Sequence, residues 1–448
     1  MRENPLQAAQ AVRKGSAMGA ISELLADVKL PKMVEIRQEF DHTHLEVSDI
    51  PRIVHDELAA SGIDARIHPG MEIAITAGSR GVSNIAMVLK AIADYVKEKG
   101  ATPFLVPAMG SHGGATAEGQ LEVLEAFGIT PETMECEIRS SMQTVVLGPS
   151  ENGKPVHCDK HAAESDGIIV CGRVKTHTAF RGPYESGICK MMGIGLGKQK
   201  GAEVLHQDGF GQMVDEVPMF ARVFLEKAPI LGALALVENA YDQTREIIAL
   251  DKDEIMDEEP GILARSKTYM PRILFDPVDV LIVDEIGKNC SGDGMDPNIT
   301  GRFATPFATG GIKAQRVAVL DLTDETHGNG NGLGLAEVTT MRAYKKFDFE
   351  KTYPNSITNT VMSVVMIPMV LYNDKQAIQE ALKSCNFIDR ENPRVVRIVN
   401  TMEVGRIWIS EALLPEALAN PQVTVVGEPQ EFPFDEEGNL KNLKGKAY

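Results

Sequence analysis

Between Cys171 and Gly209 the chain reads CGRVKTHTAFRGPYESGICKMMGIGLGKQKGAEVLHQDG, which places His177, Lys190 and His206 in one glycine-laced stretch. Two phosphate-binding patterns fail here. A P-loop needs Gly-Lys followed by Ser or Thr, with another glycine five residues before that Gly; Gly197-Lys198 is followed by Gln199, and position 192 is Met192. Gly193, Gly195 and Gly197 are spaced GxGxG, not the GxGxxG of a dinucleotide fold. Glycines at 193, 195, 197 and 201 still let backbone approach a ligand and offer amide donors to an anion. A tight turn packed on a sheet explains them equally well. Lys190 lies between Ile188-Cys189 and Met191-Met192. Such a setting can desolvate an amine and make it nucleophilic; the plainer alternative is a lysine with its stem on apolar surface and its head in water. His206 falls on a helix expected from about Lys198. Its imidazole suits a late transition metal, or simply a surface position.

Three further loops carry candidates. His112 sits in Gly110-Ser111-His112-Gly113-Gly114, where small neighbours leave room for a substrate beside a general acid or base. Arg80, in Gly78-Ser79-Arg80-Gly81, offers a guanidinium for a carboxylate or phosphate. Lys288, Asn289, Ser291, Asp293 and Asp296 crowd the loop 286–303 and could close over a polar substrate; EF-hand spacing is absent. His327, within THGNGNGLG, is explained by turn chemistry.

These loops need elements to hold them, and the periodicity supplies strands before each. Residues 71–77, 102–107 and 167–171 read as strands, with helical spacing at Ile85, Leu89, Ile92 and Val96 and a stop at Gly100. Residues 278–284, 316–321, 395–400 and 406–410 read as further strands, and 374–385 as a helix. Alternating strands and helices predict an α/β fold of two domains with mostly parallel sheets. The charged, breaker-rich run DKDEIMDEEPG places the boundary near 260–275, dividing the chain into 1–270 and 271–448. Ligands of open α/β sheets sit at the carboxyl ends of strands, so the loops are expected to converge on one crevice between the domains.

Composition excludes other classes. A net charge of −18 repels phosphate backbones and anionic lipid, so neither nucleic acid nor membrane is an expected partner. No CxxC pair occurs among the six cysteines, which argues against a thiolate zinc site and for reduced thiols in the cytoplasm. The first 33 residues lack the apolar core of a signal peptide, and no run is long enough to span a bilayer.

Taken in order, Arg80, GSHGG with His112, His177, SGICK with Lys190, and His206 resemble the nickel-dependent lactate racemase family. The stretch Ser186–His206 is the most specific part, and the likeness makes this chain a divergent member. Arg181, Gly182, Pro183, Tyr184 and Glu185 lengthen the interval from His177 to Lys190, and no acidic residue stands just before Arg80. The resemblance implies a nickel-pincer pyridinium mononucleotide joined to Lys190 as a thioamide, with Gly193 and Gly195 beside it and His206 on the nickel. It implies acid/base roles for His112 and His177 on either face of the substrate. Arg80 would contact an anionic group of substrate or cofactor, and Lys288 the substrate. The implied reaction racemises or epimerises a small 2-hydroxy acid by hydride transfer through a planar keto acid, with enzymes that build the cofactor as partners. A homo-oligomer is compatible with all this. The rival readings are a nicotinamide-dependent hydroxy-acid dehydrogenase, against which the failed GxGxxG counts, and a non-catalytic nickel- or nucleotide-binding protein.

Overall fold

The computed structural model describes residues 19–79 and 81–445. Two sheets dominate. The first has six strands in the order Glu137–Ile138, Thr102–Pro107, Glu72–Ala77, Gly167–Arg173, Ile230–Glu238 and Thr244–Asp251; all neighbours are parallel except the last pair. Both faces of this sheet are buried, which is why its strands read as apolar runs. Ile73 and Ile75 point into the cluster built on helices Ile50–Ala60 and Ile85–Glu98, while Ala74 points into the opposite one with Phe220 and Phe224. Gly100 adopts φ +77° at the end of helix Ile85–Glu98, as its placement predicts.

The second sheet has eight strands: Met369–Leu371, Val338–Thr340, Ala314–Leu322, Val278–Ile286, Val395–Ile398, Arg406–Ser410, Met33–Gln38 and Val423–Val425. The first five are parallel and the last three antiparallel. Here too Leu281 and Val283 enter one core and Val280 and Ile282 the other. The expected α/β class with mostly parallel sheets is the fold observed.

The path of the chain is less simple than two consecutive blocks. Met33–Gln38 pairs with Arg406–Ser410 in the second sheet, with Met33 opposite Ser410. The run expected to mark a boundary is instead largely helix Ile255–Tyr269, whose Ile255, Ile262 and Leu263 pack into the first unit's core. Except for the buried Glu259, its charges lie on the solvent side of an amphipathic helix, so charge density did not signal a linker. Among the described residues no helix is long and apolar enough to cross a membrane.

Candidate active site

The ends of strands Glu72–Ala77, Thr102–Pro107, Gly167–Arg173 and Val278–Ile286 open onto one cavity of about 860 Å³, walled by both units. His112, His177, Lys190, Gly195 and Lys288 line it. Arg80 lies outside the described residues; its neighbours Ser79 and Gly81 are on the wall.

The chain leaving Gly167–Arg173 runs along the wall, so Arg173, Lys175 and His177 all line it. His177 is 9 % exposed, its ring 4.4 Å from Phe180 and 6.1 Å from Phe210 between centroids. Its Nδ1 accepts the Ala179 N–H at 3.0 Å, and its Nε2 stands 2.5 Å from Lys190 Nζ. Burial, and then the positive charge of a protonated Lys190, hold the imidazole well below its usual range.

Lys190 ends the short helix Ile188–Lys190, which continues as the π-helical turn Met191–Leu196 and then helix Lys198–His206. The buried Glu259 accepts the Cys189 N–H at 2.9 Å and anchors this turn. Cys189 itself is inert, because burial pushes its thiol far up. His206 donates Nδ1–H to the Ala202 carbonyl at 2.6 Å, which leaves Nε2 with its lone pair. Burial lowers its pKa, and the charges of Lys190 and His206 reach each other and His177. Phe210 stands edge-on to His206 at 5.4 Å and also meets His177. His206 is not part of the cavity wall proper.

His112 is solvent-accessible on its loop, with Nδ1–H donated to the Met109 carbonyl at 2.8 Å. That loop is secured from below by Lys198. This lysine is fully buried, and its Nζ reaches the Pro107 carbonyl at 2.7 Å, Gln120 Oε1 at 2.9 Å and Asp159 Oδ2 at 3.3 Å. Gln120 Nε2 in turn donates to the carbonyls of Gly110 and His112 at 3.0 and 3.3 Å. The Gly-Lys pair that fails as a P-loop therefore supplies a structural cation, not a phosphate ligand.

The two glycines part company. A Cβ on Gly195 would lie 2.8 Å from the Ala108 carbonyl on the cavity wall. Gly193 is turned to the interior, where a Cβ would meet Leu205 at 3.2 Å and Phe220 at 3.3 Å; its smallness serves packing. Lys288 donates back to the Gly292 carbonyl at 2.7 Å while lining the cavity with Asn289, Ser291 and Asp296. Asp293 is not on the wall, and His327 stays in its turn, with its N–H on the Asp324 carbonyl.

Lys175, the Arg173–Glu238 ion pair, Lys198 and Glu185 escaped the sequence reading. Lys175 carried a signal, the two-residue spacing of Arg173, Lys175 and His177 after a strand. The buried Glu185 accepts the His177 N–H at 2.7 Å and binds Lys267 Nζ at 2.6 Å, and no local pattern announces that. Tyr184 donates to the Met256 carbonyl at 2.5 Å. That carbonyl lacks its helical partner because Pro260 has no N–H.

Lys175, Lys190 and Lys288 stand on the wall beside Glu238, Asp242 and Asp296, so a small anion would find cationic partners there although the chain as a whole is acidic. Among the described residues no cluster of three or more His, Cys, Asp or Glu side chains can hold a metal by itself. A single imidazole such as His206 suits a metal that arrives with its other donors.

Residues 21–213 match the family model of the lactate racemase N-terminal domain. The fold is similar to that of the lactate racemase apoprotein from Thermoanaerobacterium thermosaccharolyticum, with TM-score 0.51 and 12 % identity over 83 % of this chain and 99 % of that one. A structural-genomics protein from Thermotoga maritima aligns at TM-score 0.49 and 12 % identity, over 79 % of this chain and 94 % of that one. No curated protein matches the chain.

Proposed function

We propose, from the match of residues 21–213 to the lactate racemase N-terminal domain, that this chain is an isomerase inverting C2 of a small 2-hydroxy acid. The observation that carries the reading is the 2.5 Å approach of Lys190 Nζ to His177 Nε2 on a cavity that His112 also lines.

The residues fit a nickel-pincer nucleotide. Lys190 would be its point of attachment. His206 would offer Nε2 to the nickel, and Gly195 lets the turn that carries Lys190 pack against the Ala108 carbonyl on the cavity wall. When bound, the group supplies an acceptor and donor of hydride. The chain's own groups handle the proton. His177, kept neutral by burial, takes the substrate hydroxyl proton on one face or returns it. His112, on the cavity wall with its Nδ1 bonded to the Met109 carbonyl, does the same on the other face. A base on each side makes inversion work in both directions. Lys175, Lys288 and Arg80 bind the carboxylate. Closure of the two units keeps a keto intermediate from escaping. The enzymes that assemble the nucleotide are its functional partners, and the reaction belongs in the cytoplasm.

The test is intact mass with bound-metal analysis on protein from a host that makes the cofactor, alongside chiral chromatography of a panel of 2-hydroxy acids. We expect a mass increase on the Lys190 peptide, near-stoichiometric nickel, and interconversion of one acid's enantiomers. Lys190→Ala should lose all three, and His206→Ala the nickel above all. An unmodified Lys190 and no nickel, in a host that loads an authentic lactate racemase, would overturn the reading.

A further inference from the structure

Of the five residues Arg181–Glu185 that lengthen the interval from His177 to Lys190, the first and the last converge on His177. Glu185 takes its N–H, and Arg181 takes its carbonyl through Nη1 at 2.5 Å. The same guanidinium crosses to the second unit. Nη2 donates to Asn298 Oδ1 at 2.5 Å and to the Thr309 carbonyl at 2.9 Å, and Nε reaches that carbonyl at 3.1 Å. Its plane covers the Phe303 ring at 5.1 Å. Two neighbours repeat the bridge: the Arg181 N–H bonds the Phe307 carbonyl at 3.0 Å, and the Thr305 hydroxyl donates to the Ala179 carbonyl. Beyond Arg181, Asn298 Nδ2 donates to Asp296 Oδ1 at 2.8 Å, and Asp296 is itself on the cavity wall. One hydrogen-bonded line thus runs from the second unit's side of the cavity to the backbone of His177.

We propose that Arg181 is a positioning residue that latches the His177 loop to the second unit, so that His177 is correctly placed only when the two units are closed together. The catalytic meaning of the latch rests on the acid/base role assigned above. The coupling itself does not. An arginine is required because its fork bonds the His177 carbonyl and the second unit at once, from one rigid plane. A lysine has a single nitrogen and cannot span both. Ordering of the second unit by substrate thereby becomes ordering of the base.

The experiment compares wild type, Arg181→Lys and Asn298→Ala, with Arg181→Ala added for the kinetics, as full-length proteins loaded with cofactor. The first readout is hydrogen–deuterium exchange of peptides covering 176–186, which needs no turnover. Both variants should exchange about fivefold faster there, the effect of losing one hydrogen bond's net worth. Asn298 lies in the other unit, so unchanged exchange in Asn298→Ala would overturn the latch. The second readout is kinetic. Arg181→Ala should lower kcat about tenfold or more with KM changed less than about threefold, and Arg181→Lys should recover only part of it. A rise in KM alone would overturn a positioning role. Faster exchange in both variants of a protein whose wild type inverts no 2-hydroxy acid would support the latch and sink the reaction proposed above instead.

Discussion

His177 reaches the cavity from within the protein, whereas His112 reaches it from the surface. The first ring is 9 % exposed, packed between Phe180 and Phe210, and bonded at both nitrogens and at both backbone groups. The second is solvent-accessible, with its Nδ1 bonded to the Met109 carbonyl, and its loop depends on a buried lysine beneath it. Burial is what fixes the protonation of His177. For His112 the protein fixes the backbone and leaves the ring wet. One site therefore uses two devices to present the same side chain, and substitutions should tell them apart.

The largest effects are kinetic. His112→Gln and His177→Gln should each lower kcat by about 10²–10⁴-fold while the mass increase on Lys190 persists. Loss of activity through loss of the cofactor, read by intact mass, would break the comparison. Next is Lys198→Met. It strands Asp159 uncompensated in the interior, which costs about 3–5 kcal/mol of stability by denaturant unfolding. It should also disorder the His112 loop more than the His177 loop; equal disorder would show the two are not separately supported.

A third test uses pH on the cofactor-free protein. The folded pKa of His177 is depressed, so below about 6.5, its ordinary value, the unfolded chain binds a proton that the folded chain refuses. Stability is then present above pH 6.5 and falls with acidification at up to about 1.4 kcal/mol per pH unit from this group. His177→Gln should flatten that slope in unfolding curves measured at pH 7.5 and 5.5. An unchanged slope would mean burial does not set the state of this ring. The smallest effect is expected for Gln120→Leu. It removes two donations to the His112 loop, at 3.0 and 3.3 Å, worth about 1 kcal/mol each. It should reduce kcat without touching the exchange of residues 176–186.

Much of this was legible in the chain. Strands 72–77, 102–107 and 278–286 announce themselves because residues buried on both faces must be apolar, and the loops after them must carry the polar chemistry. Lys190 stood out by its apolar neighbours, and Glu259 and Cys189 now account for the buried turn that carries it. Gly193 and Gly195 looked alike because spacing reports backbone freedom without saying which side faces a ligand. Lys198 read as a failed nucleotide motif. Its partners Gln120 and Asp159 are 78 and 39 positions away, beyond any local pattern.

Local pattern was enough for the α/β class, the strand-end loops and the ordered set of histidines around Lys190, because periodicity and residue type act over a few residues. Folding in three dimensions decided that Met33–Gln38 joins the far sheet and that Glu185 and Arg181 grip His177 from two sides. It also decided that burial, not a neighbouring motif, keeps that imidazole neutral. Each of these is a relation between residues brought together by folding. Desolvation and hydrogen bonding depend on the atoms within a few ångströms, wherever in the chain they come from.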